Sequence, residues 1–224
     1  MSDAPVVHVD PESFWEDPYP TLAKMRAEAP ICFVPELGST LFTRRNDIHT
    51  CEKNVAVFSS DQPTGLMTVL MGQNLMRRDG EEHRRERFAY YPAVSPRAVK
   101  DHWAAEFERI VDETLGELSV GAEVDFVSTV ATAISGEAMK VMTGLTQIGF
   151  QDVDAWSQAM IDGIANYTGD PEVETQCHNA TAAIDAAIDE RLPIVRAEPD
   201  HSLLSVMHHA GMPEENVRAN IKLT

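Results

Sequence analysis

The chain has 224 residues, 43 % of them hydrophobic, with a net charge of −18 and a sequence pI of about 4.7. That length and apolar content allow a substantial core in one domain or two, while the charge excludes a nucleic-acid partner, because a phosphate backbone repels so acidic a chain. No apolar run approaches the ~20 residues that span a bilayer, and Met-Ser-Asp-Ala-Pro lacks the basic and apolar regions of a signal peptide, so a cytoplasmic protein with no membrane partner is expected.

Residues 1–17 are polar and read as an extended arm. Asp17-Pro-Tyr-Pro20 leads into a short amphipathic helix over 21–28, carrying Leu22, Met25 and Arg26 and ended by Ala29-Pro30. Residues 31–34 and 40–43 are β-rich runs around a Gly-containing turn, which predicts a hairpin. A short helix is expected over 46–53, capped by Asn46 or Asp47, and 55–60 reads as a third strand. Residues 61–78 have no clear period: Asp61-Gln-Pro-Thr-Gly65 is turn chemistry, and 66–71 is apolar and Met-rich, a loop or short helix pinned on the core.

The stretch that follows is the most informative: Gly80-Glu-Glu-His83-Arg-Arg-Glu-Arg87-Phe-Ala-Tyr-Tyr-Pro92-Ala-Val-Ser95-Pro96. It predicts a helix ended by Pro92 and a second one started by Ser95-Pro96, the hydroxyl capping a free N–H and proline taking the first turn. Residues four apart share a helix face, so His83 and Arg87 can both reach one anion. Five arginines (77, 78, 84, 85 and 87) stand here among Asp79, Glu81, Glu82 and Glu86. A solvated face laced with ion pairs such as Glu81 with Arg85 accounts for them as readily as anion capture does.

From Ser95 onward helical periodicity dominates. Trp103, Phe107, Ile110, Val111, Thr114, Leu115 and Leu118 form an amphipathic stripe ended by Gly121, and 123–126 reads as a short extended piece. Helices are expected over 127–142, weakly charged and so buried on most sides, and over 152–167. A further helix over 172–191 is ended or kinked by Pro193. Two shorter ones cover 201–210 and the stretch opened by Gly211-Met-Pro213, where Glu214 and Glu215 suit the first turn. That last helix reaches Thr224 with no terminating signal, which reads as incompleteness. The three cysteines, Cys32, Cys51 and Cys177, are odd in number and far apart, against a disulfide framework or a zinc site. His208 and His209 are adjacent and point about 100° apart on a helix, which makes them poor metal co-ligands.

The string from Gly80 to Pro96 resembles the C-helix segment of the cytochrome P-450 family, where His-x-x-x-Arg leads into Pro-Ala-x-Ser-Pro. Asp17-Pro-Tyr-Pro20 with Leu22, Met25, Arg26 and Glu28-Ala-Pro30 is similar to the opening helix of bacterial members. The resemblance implies a mainly α fold with a small β-region, in which 1–224 is the N-terminal part of one heme-monooxygenase domain. It would hold the opening helix and hairpin, the B–C loop, helices C to G and the start of helix I. It implies heme b (iron protoporphyrin IX) as cofactor, with its propionates held by His83 and Arg87 and with Leu75 and Met76 nearest to it. Met67, Leu70 and Met71 of the B–C loop, with Ile164 and Tyr167 at the tip of the F–G lid, would line the substrate pocket, where thioethers adapt to irregular ligands. Arg84 and Arg85, pointing elsewhere on the helix, would meet an acidic redox partner of ferredoxin or flavin-reductase type.

The implied activity is insertion of one oxygen atom from O2 into a small apolar substrate. It requires a cysteine thiolate on the iron, in Phe-x-x-Gly-x-x-x-Cys-x-Gly, and none of the three cysteines has that setting. The Glu-x-x-Arg pair of helix K is not found in its family context either, and the Ala-Gly-x-x-Thr turn of helix I would fall past Thr224. The ligating cysteine is thus expected beyond residue 224, with the chain a fragment that is inactive alone. The alternative is a non-enzymatic helical scaffold or small-molecule binder that carries His-x-x-x-Arg.

Overall fold

The computed structural model describes residues 3–167 and 169–224. It divides into two compact units, one ending at Ser59 and one beginning at Ser60.

The first unit holds helices α1 (Pro11–Glu16) and α2 (Tyr19–Glu28), strands β1 (Ile31–Val34) and β2 (Ser39–Phe42), and helix α3 (Arg45–Cys51). The expected hairpin is present, with Ile31 opposite Phe42 and Val34 opposite Ser39. Its turn closes through Gly38, whose φ of 59° is the left-handed conformation glycine adopts without cost. Pleating sends Cys32 and Val34 inward, onto Val9, Phe14 and Met25.

Three expectations fail in this unit. The arm is not wholly extended: Val6 forms a parallel bridge to Phe33, and Asp10 then caps α1 by accepting from the Ser13 N–H at 3.0 Å, with Pro11 in the first turn. Neither Asn46 nor Asp47 caps α3. The N-cap is Arg44, whose guanidinium instead donates twice to the Arg26 carbonyl. Residues 55–58 form turns rather than a third strand, and Val57 is 69 % exposed: β-branched side chains without a pairing partner do not make a strand.

The second unit is helical. Helix α4 (Leu66–Met71) resolves the aperiodic stretch, and a 3-10 turn at Leu75–Arg77 leads to α5 (Gly80–Val94). Pro92 lies inside α5 instead of ending it; so near the C-terminus it forfeits one backbone hydrogen bond, and the helix stops two residues later. Ser95 caps the next start as expected, its hydroxyl accepting from the Ala98 N–H at 3.1 Å. From there α6 (Pro96–Ala98), a wider π-type turn at Val99–Trp103 and α7 (Ala104–Gly116) follow without a break.

A second π-type turn, Val127–Ala131, precedes α8 (Thr132–Thr143). Most of that turn is solvent-exposed, Val127 to 66 %, so the burial expected from its low charge is not found there. Residues 123–125 are irregular and no strand forms. Helix α9 (Phe150–Ile164) and the long α10 (Pro171–Ala197) make an antiparallel pair, and Pro193 lies within α10 instead of ending it. Helices α11 (Leu203–His209), capped by the Ser202 hydroxyl, and α12 (Glu214–Leu223) close the unit. Its main core packs Ile188, Leu192 and Val195 of α10 against Leu203, Leu204 and Met207 of α11.

Candidate functional site

Helix α5 carries two faces of opposite character. At about 100° per residue, Glu86, Ala89 and Ala93 fall on one side, while Gly80, His83, Arg84, Arg87, Phe88 and Tyr91 fall on the other. The first face is packed: Ala93 is 2 % and Glu86 5 % exposed. The second lines an open groove of about 350 Å³. In that groove Phe88 is 71 % exposed and Tyr91 47 %, an aromatic surface set among cationic donors.

His83 and Arg87 stand one turn apart on the groove wall, as their spacing predicts. Among the described residues neither side chain has a hydrogen-bond or ion-pair partner. Arg84, expected to point elsewhere, lines the same groove and pairs with Glu81 at 2.8 Å. Arg85 is exposed on another side, at a shallow cleft with Glu82 and Glu86. The groove therefore offers one half-buried imidazole, two guanidiniums and two aromatic rings, a set suited to a flat apolar ligand bearing carboxylates.

The other candidate residues do not line this groove. Leu75 is buried and Met76 is 51 % exposed, both in the 3-10 turn ahead of α5. Met67, Leu70 and Met71 of α4 pack with Ile164, Met160 and Cys177 of the α9–α10 pair in one apolar cluster. The crossing of those two helices is tight, since a Cβ on Gly163 would lie 2.5 Å from the Cys177 Sγ. Tyr167, on the turn after α9, is 82 % exposed. No group of three His, Cys, Asp or Glu side chains that could hold a metal ion occurs among the described residues. The three cysteines are free, and burial raises the pKa of Cys32 and of Cys177, which keeps both as neutral thiols.

Sequence reasoning missed the polar cluster on the packed face of α5. The Glu86 carboxylate accepts from the Asn216 amide at 2.8 Å and the Asn220 amide at 2.9 Å, and the Arg78 Nε lies 2.6 Å away, though its N–H is not aimed for a hydrogen bond. Asn220 also accepts from the Leu75 backbone N–H at 2.9 Å. The one hint in the sequence was the i, i+4 pair Asn216 and Asn220 on an otherwise amphipathic helix.

No protein-family model matches the sequence. Solved structures do match the fold. CalO2 aligns with a TM-score of 0.76 at 21 % identity, over 97 % of this chain and 58 % of its own. P450BioI, in complex with an acyl carrier protein ligated with hexadec-9Z-enoic acid, aligns with a TM-score of 0.77 at 17 % identity, over 95 % and 57 %. CYP109E1 from Bacillus megaterium, in complex with testosterone, aligns with a TM-score of 0.74 at 18 % identity, over 92 % and 55 %. The fold is a partial cytochrome P450 fold. The chain spans a little over half the length of these P450 structures. No helix among the described residues is long and apolar enough to cross a membrane.

Proposed function

We propose that this chain is the N-terminal part of a single heme-thiolate monooxygenase domain. Within a partial P450 fold, the observation that carries the reading is the α5 groove, where unpartnered His83 and Arg87 share a wall with exposed Phe88 and Tyr91. Exposed aromatic rings beside donors that have no partner among the described residues suit a planar macrocycle with acidic arms. His83 and Arg87 would hold the propionates of heme b, Arg84 would add positive charge, and the two rings would meet the macrocycle's apolar edge. When bound, the heme supplies the activation of O2 for insertion of one oxygen atom into a substrate, with a cysteine thiolate from outside residues 1–224 as the iron ligand.

The chain's own contribution beyond that is shape. The α4 cluster with Met67, Leu70, Met71 and Ile164 would form the apolar wall that excludes water from a small, largely apolar substrate, with Leu75 and Met76 between it and the heme and Tyr167 at the lid's outer turn. The testosterone and long-chain acyl ligands of the matched structures agree with such a pocket. Arg85, on a different side of α5 from the groove, would be the contact for an acidic electron-transfer partner of ferredoxin or flavin type, while Arg84 lies on the groove side paired with Glu81.

The test is a titration of the whole protein with hemin, followed by a carbon-monoxide difference spectrum of the reduced form. A thiolate-type Soret band is expected in the wild type, with heme retention clearly lowered in a His83→Ala, Arg87→Ala double variant. No band at all would assign the protein to non-enzymatic binders, and unchanged retention in the double variant would remove these two residues from the site.

A further inference from the structure

Helix α5 must present His83 and Arg87 at one rotation about its axis. Its packed face holds Ala89 and Ala93, too small to interlock deeply with α11, together with the partly buried Tyr90 and Val94, and the Tyr90 hydroxyl lies 3.4 Å from that of Thr224 at the end of α12. These apolar contacts tolerate small rotations. What gives the face direction is the buried carboxylate. Glu86 is 5 % and Asn220 0 % exposed, and the carboxylate's two oxygens receive one amide donor each, from Asn216 and Asn220, with the Arg78 guanidinium against the first. The same Asn220 spends its other donor on the Asn216 carbonyl at 2.8 Å and its oxygen on the Leu75 N–H. Arg78 reaches on to Glu82 at 3.1 Å, one turn back along α5.

For stability alone this cluster is an inefficient choice, because a well-packed apolar side chain commonly does as well as a buried charge. Hydrogen bonds of this kind act only in one geometry, and here both carboxylate oxygens and the Asn220 amide have their partners, although the Arg78 Nε–H does not, which restricts how the joined elements can turn. We propose that Glu86 is a positioning residue for the groove. Its carboxylate, held by Arg78, Asn216 and Asn220, sets the rotation of α5 and with it the direction in which His83 and Arg87 present their donors. Through Asn220 the same network ties the Leu75–Arg77 turn to α12. This inference rests on the heme-propionate reading of His83 and Arg87.

Glu86→Gln keeps the shape of the side chain but breaks its logic. Both carboxylate oxygens face amide donors, so a glutamine amide must set a donor against a donor and gives up the charge facing Arg78. The control is Val217→Ala, a cavity in α12 at a side chain 1 % exposed that takes no part in the network. Both variants of the whole protein are titrated with hemin, their melting temperatures are measured, and amide hydrogen exchange is followed along α5 and at Leu75.

The expected result is hemin affinity about tenfold weaker in Glu86→Gln, the low end of what loss of a supporting hydrogen-bond partner costs at a bound cofactor. Faster exchange at Leu75 and residues 83–88 should accompany it, with affinity near wild type in Val217→Ala even where its melting temperature is as low or lower. Affinity that follows melting temperature in both variants, or a Glu86→Gln protein that binds hemin as the wild type does, would overturn the positioning role and leave the heme reading standing. A wild type that takes up no hemin would overturn both, and that arm alone distinguishes the two failures.

Discussion

The two faces of α5 spend similar polar chemistry in opposite ways. On the packed face one carboxylate is met by two amides and a guanidinium, and little of it reaches solvent. On the groove face an imidazole and a guanidinium have no partner among the described residues, and two aromatic rings stand open beside them. Folding accounts for most of the first arrangement, since buried polar groups are as a rule hydrogen-bonded, the Arg78 Nε–H being the exception here. The second is left to water. The contrast shows where to look for a ligand on a charged helix: where solvated donors and exposed aromatic rings share one groove.

If that division is right, stability and binding separate by face. The largest stability loss is expected for Glu86→Ala, which leaves Arg78, Asn216 and Asn220 buried around a void. Stranding a buried ion-pair partner costs about 3 kcal/mol or more, readable as a lower urea midpoint. The next is Gly163→Ala at the α9–α10 crossing, where the new methyl would lie 2.5 Å from the Cys177 Sγ and 2.6 Å from its Cβ. Overpacking of this kind costs about 1–3 kcal/mol. A midpoint unmoved by Gly163→Ala would mean that the crossing is looser than its packing indicates.

On the groove face the expectation reverses. Arg87→Ala and Phe88→Ser, alone or together, should leave the unfolding free energy from urea melts within about 0.5 kcal/mol of wild type, as exposed substitutions generally do, while hemin retention falls. A large stability loss in Phe88→Ser would instead make the groove part of the core and blur the contrast drawn above.

The same division governs what was legible in the sequence. Periodicity and caps carry local information, so the hairpin around Gly38, the start at Ser95-Pro96 and the α9–α10 pair could all be read from short windows. His83 and Arg87 were legible because four residues on a helix is itself a local relation. Glu86 was not. Among Glu81, Glu82, Arg84 and Arg85 it looks like one more solvated charge, and its partners Asn216 and Asn220 lie 130 and 134 residues away. Pro92 misled for a related reason: proline breaks helices in isolation, but here it lies in the last turn of α5, where the helix loses a single backbone bond, and Pro193 likewise lies within α10 and does not end it. The wide turns at Val99–Trp103 and Val127–Ala131 left no mark that periodicity could register.

Helix α12 repeats the contrast in weaker form and supplies the smallest effect. One of its stripes, Asn216 and Asn220, is spent on α5; another, Glu214, Arg218 and Lys222, runs along the side toward α10. The Arg218 guanidinium hydrogen-bonds the Glu214 carboxylate at 2.7 Å and, with Arg196 nearby, holds its pKa below the ordinary 4.5. A carboxyl whose pKa is depressed on folding adds stability above its unfolded value and loses it as pH falls through the folded one. Wild type should therefore exceed Glu214→Gln slightly in urea midpoint at pH 5.5, and the gap should close as pH is lowered below 4.5 toward 3. Because the pair is partly exposed, salt should shrink the same gap at pH 5.5. The Asn216–Asn220 stripe makes the opposite demand. Its contacts bury a carboxylate away from solvent, so at pH 5.5 a Glu86→Gln loss should persist in salt that removes the Glu214→Gln one. A Glu86→Gln loss that salt erased equally would place both stripes on the solvated side of the helix.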